Sequence, residues 1–232
     1  MLLLGLDTSG AAVTVALHDG RHVVAARSTL GARRHAELLA PSIHAVLAEG
    51  AAVPADLTDV AVGVGPGPFT GLRAGVVTAR VLGLAVGVPV HGVCSLDALA
   101  LQAVEDPAAG LRPGERFAVA TDARRHELYW ALYEAGAPGH PARRLAGPEV
   151  TPPGRLPHDV PVLGRGATLY PEVAHAPGPL DVEAGAVSRL AVVALTAAPA
   201  LRTDRVRLLP PDPLYLRRPD AAPPGARKRV LR

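Results

Sequence analysis

Cysteine occurs once in the 232 residues, as Cys94, which excludes an intrachain disulfide and a multi-thiolate zinc site. Lysine is as scarce. Lys228 stands alone against a large excess of Arg, Ala, Gly, Pro and Val, a bias that fits a GC-rich genome and strips arginine counts of functional weight. Long unbroken apolar runs are missing too. The longest candidate, Gly71 to Val88, contains Arg73 and Arg80 and is expected to fall short of the roughly 20 residues that cross a bilayer. Met1-Leu2-Leu3-Leu4 has no basic flank and meets Asp7 almost at once, so neither a secretory signal nor membrane insertion is expected. A reducing, cytoplasmic compartment fits.

What is present is a globular composition, 49% hydrophobic and 19% charged with a net charge of +3, far from the disordered regime. The length suits two lobes of about 100 to 120 residues. Leu2 to Leu6 reads as a strand ending in Asp7-Thr8-Ser9-Gly10. Val13 to Leu17 follows as its hairpin partner, closed by Asp19-Gly20, and Val23 to Arg27 as a third antiparallel strand. The spacing of Leu39, Ile43, Val46 and Leu47 predicts a helix over Arg34 to Glu49, kinked at Pro41. Strands at Asp59 to Val64 and Val88 to Val93 alternate with helices at Thr70 to Val86 and Ser95 to Val104, the last capped by Ser95. This is an α/β lobe with a mixed sheet.

A Pro- and Gly-rich loop, Asp106 to Glu115, separates a second set. Phe117 to Thr121 ends in Asp122-Ala123, and Glu127 to Tyr133 is its hairpin partner, so both halves open with the same unit: an apolar strand, an Asp, a turn, an apolar strand, then an acidic residue and a glycine. Residues 1–105 form the first, partner-binding lobe, 116–216 the second, and 217–232 a basic tail open to disorder. The stretch Gly136 to Pro179 is hard to read beyond a short strand at Val160 to Leu163; a helix from about Ala186 to Ala198 follows.

A strand ending in Asp7, with Thr8 and Ser9 in the turn, can hold a magnesium-bound phosphate, or can simply satisfy turn amides. Its repeat at Asp122 favours a cleft between two hairpins, although Ala123-Arg124-Arg125-His126 lacks glycine and hydroxyl donors. Gly65-Pro66-Gly67-Pro68-Phe69-Thr70-Gly71 delivers a helix N-terminus that favours anions, but it is no Walker A loop, and both prolines remove donors. The nucleotide-cleft candidates are therefore Asp7, Thr8, Ser9, Gly65, Gly67, Thr70 and Asp122. The nine histidines form no metal-ligand spacing; His35 and His44 fall on opposite faces of one helix.

Gly71, Gly75, Ala79 and Gly83 recur every fourth residue and make a nearly side-chain-free ridge. Three helical glycines cost roughly 3 kcal/mol relative to alanine, so something packs closely there, either another element of the lobe or a partner subunit.

Leu3 to Ser9, His35 to Pro41, Gly65 to Arg73, Gly92 to Leu96, Asp122-Ala123-Arg124 with Glu127-Leu128-Tyr129-Trp130, and Pro213 to Arg217 resemble, in order, the TsaB family, once described as glycoprotease-like. The resemblance implies a two-lobed actin-like (ASKHA, ribonuclease H-like) α/β fold with duplicated mixed-sheet lobes. It implies an accessory subunit for N6-threonylcarbamoyladenosine at position 37 of transfer RNA, pairing with a catalytic, metal-bearing TsaD-like subunit and a TsaE-like ATPase. It implies no cofactor of its own and indirect or weak tRNA contact, and leaves open both ATP or ADP at the complex interface and a homodimer in isolation. It also points the partner interface to the helices bearing His35, Leu39, Ile43, Gly71, Gly75, Ala79 and Gly83. Pro68 stands where many relatives carry Ser. The chief rival is a stand-alone actin-like ATPase or kinase, with a metalloprotease and direct RNA binding through the tail as weaker ones.

Overall fold

The computed structural model describes residues 1–31, 34–137, 140–196 and 206–217. The chain beyond Arg217, including the basic tail, lies outside these, as does the end of the last expected helix. Strand β1 (Leu3–Asp7) pairs antiparallel with β2 (Ala12–His18), Leu3 opposite His18 and Asp7 opposite Thr14, and β2 pairs with β3 (Val23–Leu30). After α1 (His35–Glu49), β4 (Asp59–Gly63) lies parallel to β1. After α2 (Phe69–Val86), β5 (Val90–Val93) lies parallel to β4, giving the order β3-β2-β1-β4-β5. Helix α1 runs through Pro41 without ending, because that proline removes only the one amide that would have bonded the Glu37 carbonyl.

Helix α3 (Ser95–Glu105) leads to the second sheet. Here β6 (Arg116–Asp122) pairs antiparallel with β7 (Leu128–Glu134), β7 with β8 (Arg143–Thr151), and β6 parallel with β9 (Val162–Leu163). Its order, β8-β7-β6-β9, repeats the first four positions of the first sheet. The duplication expected from the two hairpins is thus present in the topology, and Asp7 and Asp122 end equivalent strands. Strand β8 was hidden in the sequence by Gly147-Pro148. Pairing irregularities opposite these residues and a φ of +84° at Gly147 mark a bulged edge strand, the place a sheet tolerates proline.

Both faces of β1 and β2 are buried, which explains their near-continuous apolar runs. Leu4, Leu6, Val13 and Val15 face Leu39, Val46 and Val76 of α1 and α2. Leu3, Ala61 and Val93 face the other way, into a core shared with α3, with Val187 and Leu190 of α4 (Ala184–Thr196), and with Phe117 and Tyr133 of the second sheet. Helix α4 comes from the C-terminal half yet lies on β1 and β2, while α3 lies on β6. The two helices form one middle layer between the sheets. There Asp97 of α3 accepts from the Tyr133 hydroxyl (2.8 Å) and pairs with Arg144 (3.2 Å). Finally, Val206–Arg217 straps the edge of β5 through reciprocal Leu209–Gly92 backbone bonds of 2.8 and 2.9 Å.

Candidate functional site

The turn after β1 folds inward. Asp7 is 1% exposed; its Oδ1 accepts from the Ser9 amide and hydroxyl (both 2.7 Å) and its Oδ2 from the Ser95 hydroxyl (2.6 Å). Burial pushes its pKa up, and the bonds from Ser95 and Ser9, with His35 nearby, oppose the rise. The carboxylate faces β4 so closely that a Cβ at Gly63 would sit 1.7 Å from Oδ2. Ser95 is not the cap of α3; that position belongs to Cys94. Its hydroxyl instead donates to Asp7 and accepts from the Gly65 amide (3.0 Å). Neither its position nor any motif marked Ser95 as part of this knot.

The glycine-rich loop and α2 pack onto the same turn. A Cβ at Gly67 would come within 2.4 Å of Ser9 O, one at Gly71 within 2.4 Å of Thr8 O, and one at Gly75 within 2.3 Å of Thr8 Oγ1. Thr8 donates its hydroxyl to the Gly71 carbonyl (2.7 Å). At the far end, Gly83 would meet Val90 at 2.3 Å. This corrects the interface expectation: Gly71, Gly75, Ala79 and Gly83 are buried against the chain's own strands, and the compensation for three helical glycines is intramolecular. His35, Leu39 and Ile43 are also buried.

Between the hairpins lies a cleft of only about 90 Å³. Thr8, His35 and Gly71 line one side and Thr121, Asp122 and Arg124 the other, with Arg165 and Asp181 alongside. His35 Nε2 lies 3.2 Å from Gly10 O. Asp122 accepts from the Arg124 amide (2.7 Å) and pairs with its guanidinium (3.0 Å), while Arg165 donates two bonds to Asp181. Of the nucleotide candidates, then, Thr8 and Asp122 reach the cleft. Asp7, Ser9, Gly65 and Gly67 are buried, and Thr70 is exposed. Arg165 and Asp181 come from irregular chain that carried no pattern to find them. Ligand pockets typically run from about 300 Å³ upward, and the cleft in this structure is smaller than that. Among the described residues no three His, Cys, Asp or Glu side chains gather as a metal-ligand set.

The turn that carries Asp122 is strained: Arg124, Arg125 and His126 have φ of +62°, +56° and +58°. Left-handed backbone costs a non-glycine residue about 1 kcal/mol or more.

A larger concavity lies elsewhere. An apolar groove of about 730 Å³ runs between α1 and α2, walled by Ile43, Leu47, Val77, Val81 and Ala85. Val77, Val81 and Leu84 are 57%, 60% and 86% exposed. By length and mean hydropathy alone (1.4 over 18 residues) α2 is apolar enough to cross a membrane, a test that the core helix of a globular protein also passes. Its glycine face is nevertheless packed on the first sheet, and the rest of its apolar character is this exposed ridge.

Two copies of one hairpin-and-crossover unit, facing each other across a cleft, define a two-lobed protein of the actin-like class. A sequence model of the family described as TsaD, tRNA N6-adenosine threonylcarbamoyltransferase, matches residues 27–158. An uncharacterized protein of Mycobacterium tuberculosis is 40% identical over 95% of this chain and 94% of its own. The tRNA threonylcarbamoyladenosine biosynthesis protein TsaB of Escherichia coli is 36% identical over 58% of this chain and 55% of its own; that of Bacillus subtilis is 32% identical over 58% and 56%. In solved structures, YeaZ from Pseudomonas aeruginosa superposes with a TM-score of 0.71 at 31% identity, covering 84% of this chain and 93% of that one. The chain belongs to the TsaB family, within the TsaD-related, glycoprotease-like group.

Proposed function

We propose that this chain is a non-catalytic accessory subunit in the biosynthesis of N6-threonylcarbamoyladenosine in transfer RNA. It works in the cytoplasm, docks onto a TsaD-like catalytic paralogue and is joined by a TsaE-like ATPase. The observation that carries this reading is the contrast between the two concavities: the cleft where an actin-like catalyst would hold its phosphates is small and lined by Asp122 and Arg165 already paired with Arg124 and Asp181, while the α1–α2 face is open and apolar. An apolar groove with large exposed aliphatic side chains is the mark of a protein interface. The names of the relatives supply the pathway. We assign partner binding to the first lobe, residues 1–105, any ATP or ADP to the interface of the complex, tRNA contact chiefly to the paralogue, and the groove to a second copy of the chain when the paralogue is absent.

The test is nucleoside mass spectrometry of bulk tRNA from cells depleted of the protein, rescued with wild type or with Val77→Asp/Val81→Asp. Gly75→Leu would be a poor probe, since it disrupts the interior. Modification is expected to be lost on depletion, restored by wild type and not by the groove variant, which keeps its melting temperature but loses the paralogue in co-purification. Unchanged modification on depletion removes the pathway assignment; full rescue by the variant removes the groove. ATP turnover by the purified chain alone would favour the stand-alone ATPase or kinase.

A further inference from the structure

We propose that the strap Val206–Arg217 is a coupling rod between the outer ridge of α2 and the cleft-side turn Asp122–Glu127, so that occupancy of the ridge changes the stability of the turn. The coupling itself is independent of the partner's identity; only the use of the ridge by a paralogue rests on the function proposed above.

At its first end the strap is fixed by backbone. Beyond the Leu209–Gly92 pair, Leu214 N donates to Val64 O at 2.8 Å, and Gly92 is a glycine of necessity, since a Cβ there would lie 2.4 Å from Pro210 O. In the middle it is held by side chains of α2 that belong to the exposed ridge. Arg80 pairs with Asp212 at 2.9 Å, with both side chains more than half exposed. Arg73 Nε donates to the Tyr215 hydroxyl at 2.9 Å, its guanidinium lies 5.7 and 5.8 Å from the Phe69 and Tyr215 ring centroids, and those rings are 4.8 Å apart. Arg73, Val77, Arg80, Val81 and Leu84 follow i, i+4, i+7, i+8, i+11 spacing and so share one face. At its far end the strap crosses to the second lobe, where Arg217 donates to Ala123 O at 3.1 Å and pairs with Glu127.

Ala123 and Glu127 close the strained turn: Ala123 N donates to Glu127 O (3.0 Å) and Glu127 N to Arg124 O (3.1 Å). Three consecutive left-handed residues persist only where their surroundings over-determine them, and Arg217 grips both ends of that closure. Tyr215 and Arg217 are two residues apart, a reach of at most about 7 Å, so the strap has little slack. A partner covering the α2 ridge competes for Arg73 and Arg80, whose exposed contacts to Tyr215 and Asp212 are individually weak and easily exchanged. Release of Tyr215 then draws on Arg217 and loosens the turn that sets Asp122 and Arg124 in the cleft.

Hydrogen exchange by mass spectrometry on the full chain, without partner, tests the coupling in three variants: Arg217→Gln, Arg73→Ala/Arg80→Ala and the milder Asp212→Asn. Peptides covering 122–128 are expected to exchange about tenfold faster in Arg217→Gln, the factor for losing one charge-assisted hydrogen bond. They should exchange several-fold faster in Arg73→Ala/Arg80→Ala and in Asp212→Asn, which cut the ridge–strap contacts from either side, with β1 and β4 unchanged as the control for folding. Faster exchange in Arg217→Gln alone would make the strap a local latch and overturn the coupling. So would unchanged exchange in all three. A separate arm adds the TsaD-like subunit to wild type: protection on α2 with faster exchange at 122–128 extends the coupling to the partner. Loss of that protection with the ridge variants' effect intact would count against the partner assignment and leave the coupling standing.

Discussion

A single carboxylate shows how position in space overrides position in a motif. Asp7 ends a strand where a phosphate-binding Asp is expected, yet it is spent on holding the Ser9 turn, Ser95 and β4 together. Because its folded pKa is raised above the ordinary 3.8, the folded state holds the Asp7 proton more tightly than the unfolded chain does; its contribution to stability is full below that value and falls as pH rises through the raised one. Ser95 donates to the ionised form and limits this loss. Ser95→Ala should therefore destabilise by about 2 kcal/mol, and by more at pH 8 than at pH 4.5, in urea titrations at the two pH values; an equal cost at both would show that Asp7 does not change its protonation state between them. Gly5 is as specific. A Cβ there would lie 2.1 Å from Ser188 Oγ and 2.8 Å from the Ala184 carbonyl. Gly5→Ala should cost about 1–3 kcal/mol through the displacement of α4 from β1, seen as a lower denaturation midpoint at constant slope.

Helix α2 carries two surfaces that the sequence presents together. The fourfold repeat of small residues was legible as a flat ridge, but the physics of close approach is the same for a strand of the same chain and for a foreign helix, so the pattern could not name its occupant. The structure places Thr8, Leu6 and Val90 on it. The ridge that faces outward is aliphatic and bears Arg73 and Arg80, and it is not legible in the sequence because isolated valines in a helix read as core. Val77→Asp/Val81→Asp should leave the unfolding free energy within about 0.5 kcal/mol of wild type while shifting sedimentation velocity towards monomer. A large loss of stability would mean these valines are packed inside the fold. Strand β8 was illegible for a related reason: its burial is partial and its Gly147-Pro148 bulge is acceptable only because it lies at an edge, which no local pattern reveals.

At the scale of the molecule the lobes are continuous in sequence but not in packing, since α3 and α4 are shared between the sheets and one core includes Leu3, Leu99, Phe117 and Leu190. Unfolding should therefore be one transition in calorimetry, with van't Hoff and calorimetric enthalpies equal; two resolved transitions would show the lobes to be independent. The sequence by itself determined the α/β class, the duplicated hairpins, the family and most helices and strands, because these rest on local periodicity, turn chemistry and motifs contiguous in the chain. Only the tertiary structure decided which face of α2 is open, that Asp7 is turned inward, that Ser95 holds it, and that Arg165 and Asp181 line the cleft. Each of those depends on which distant segments occupy the space beside a residue, and a hydrogen bond such as Ser95 to Asp7, made across 88 positions of chain, leaves no trace in the order of its neighbours.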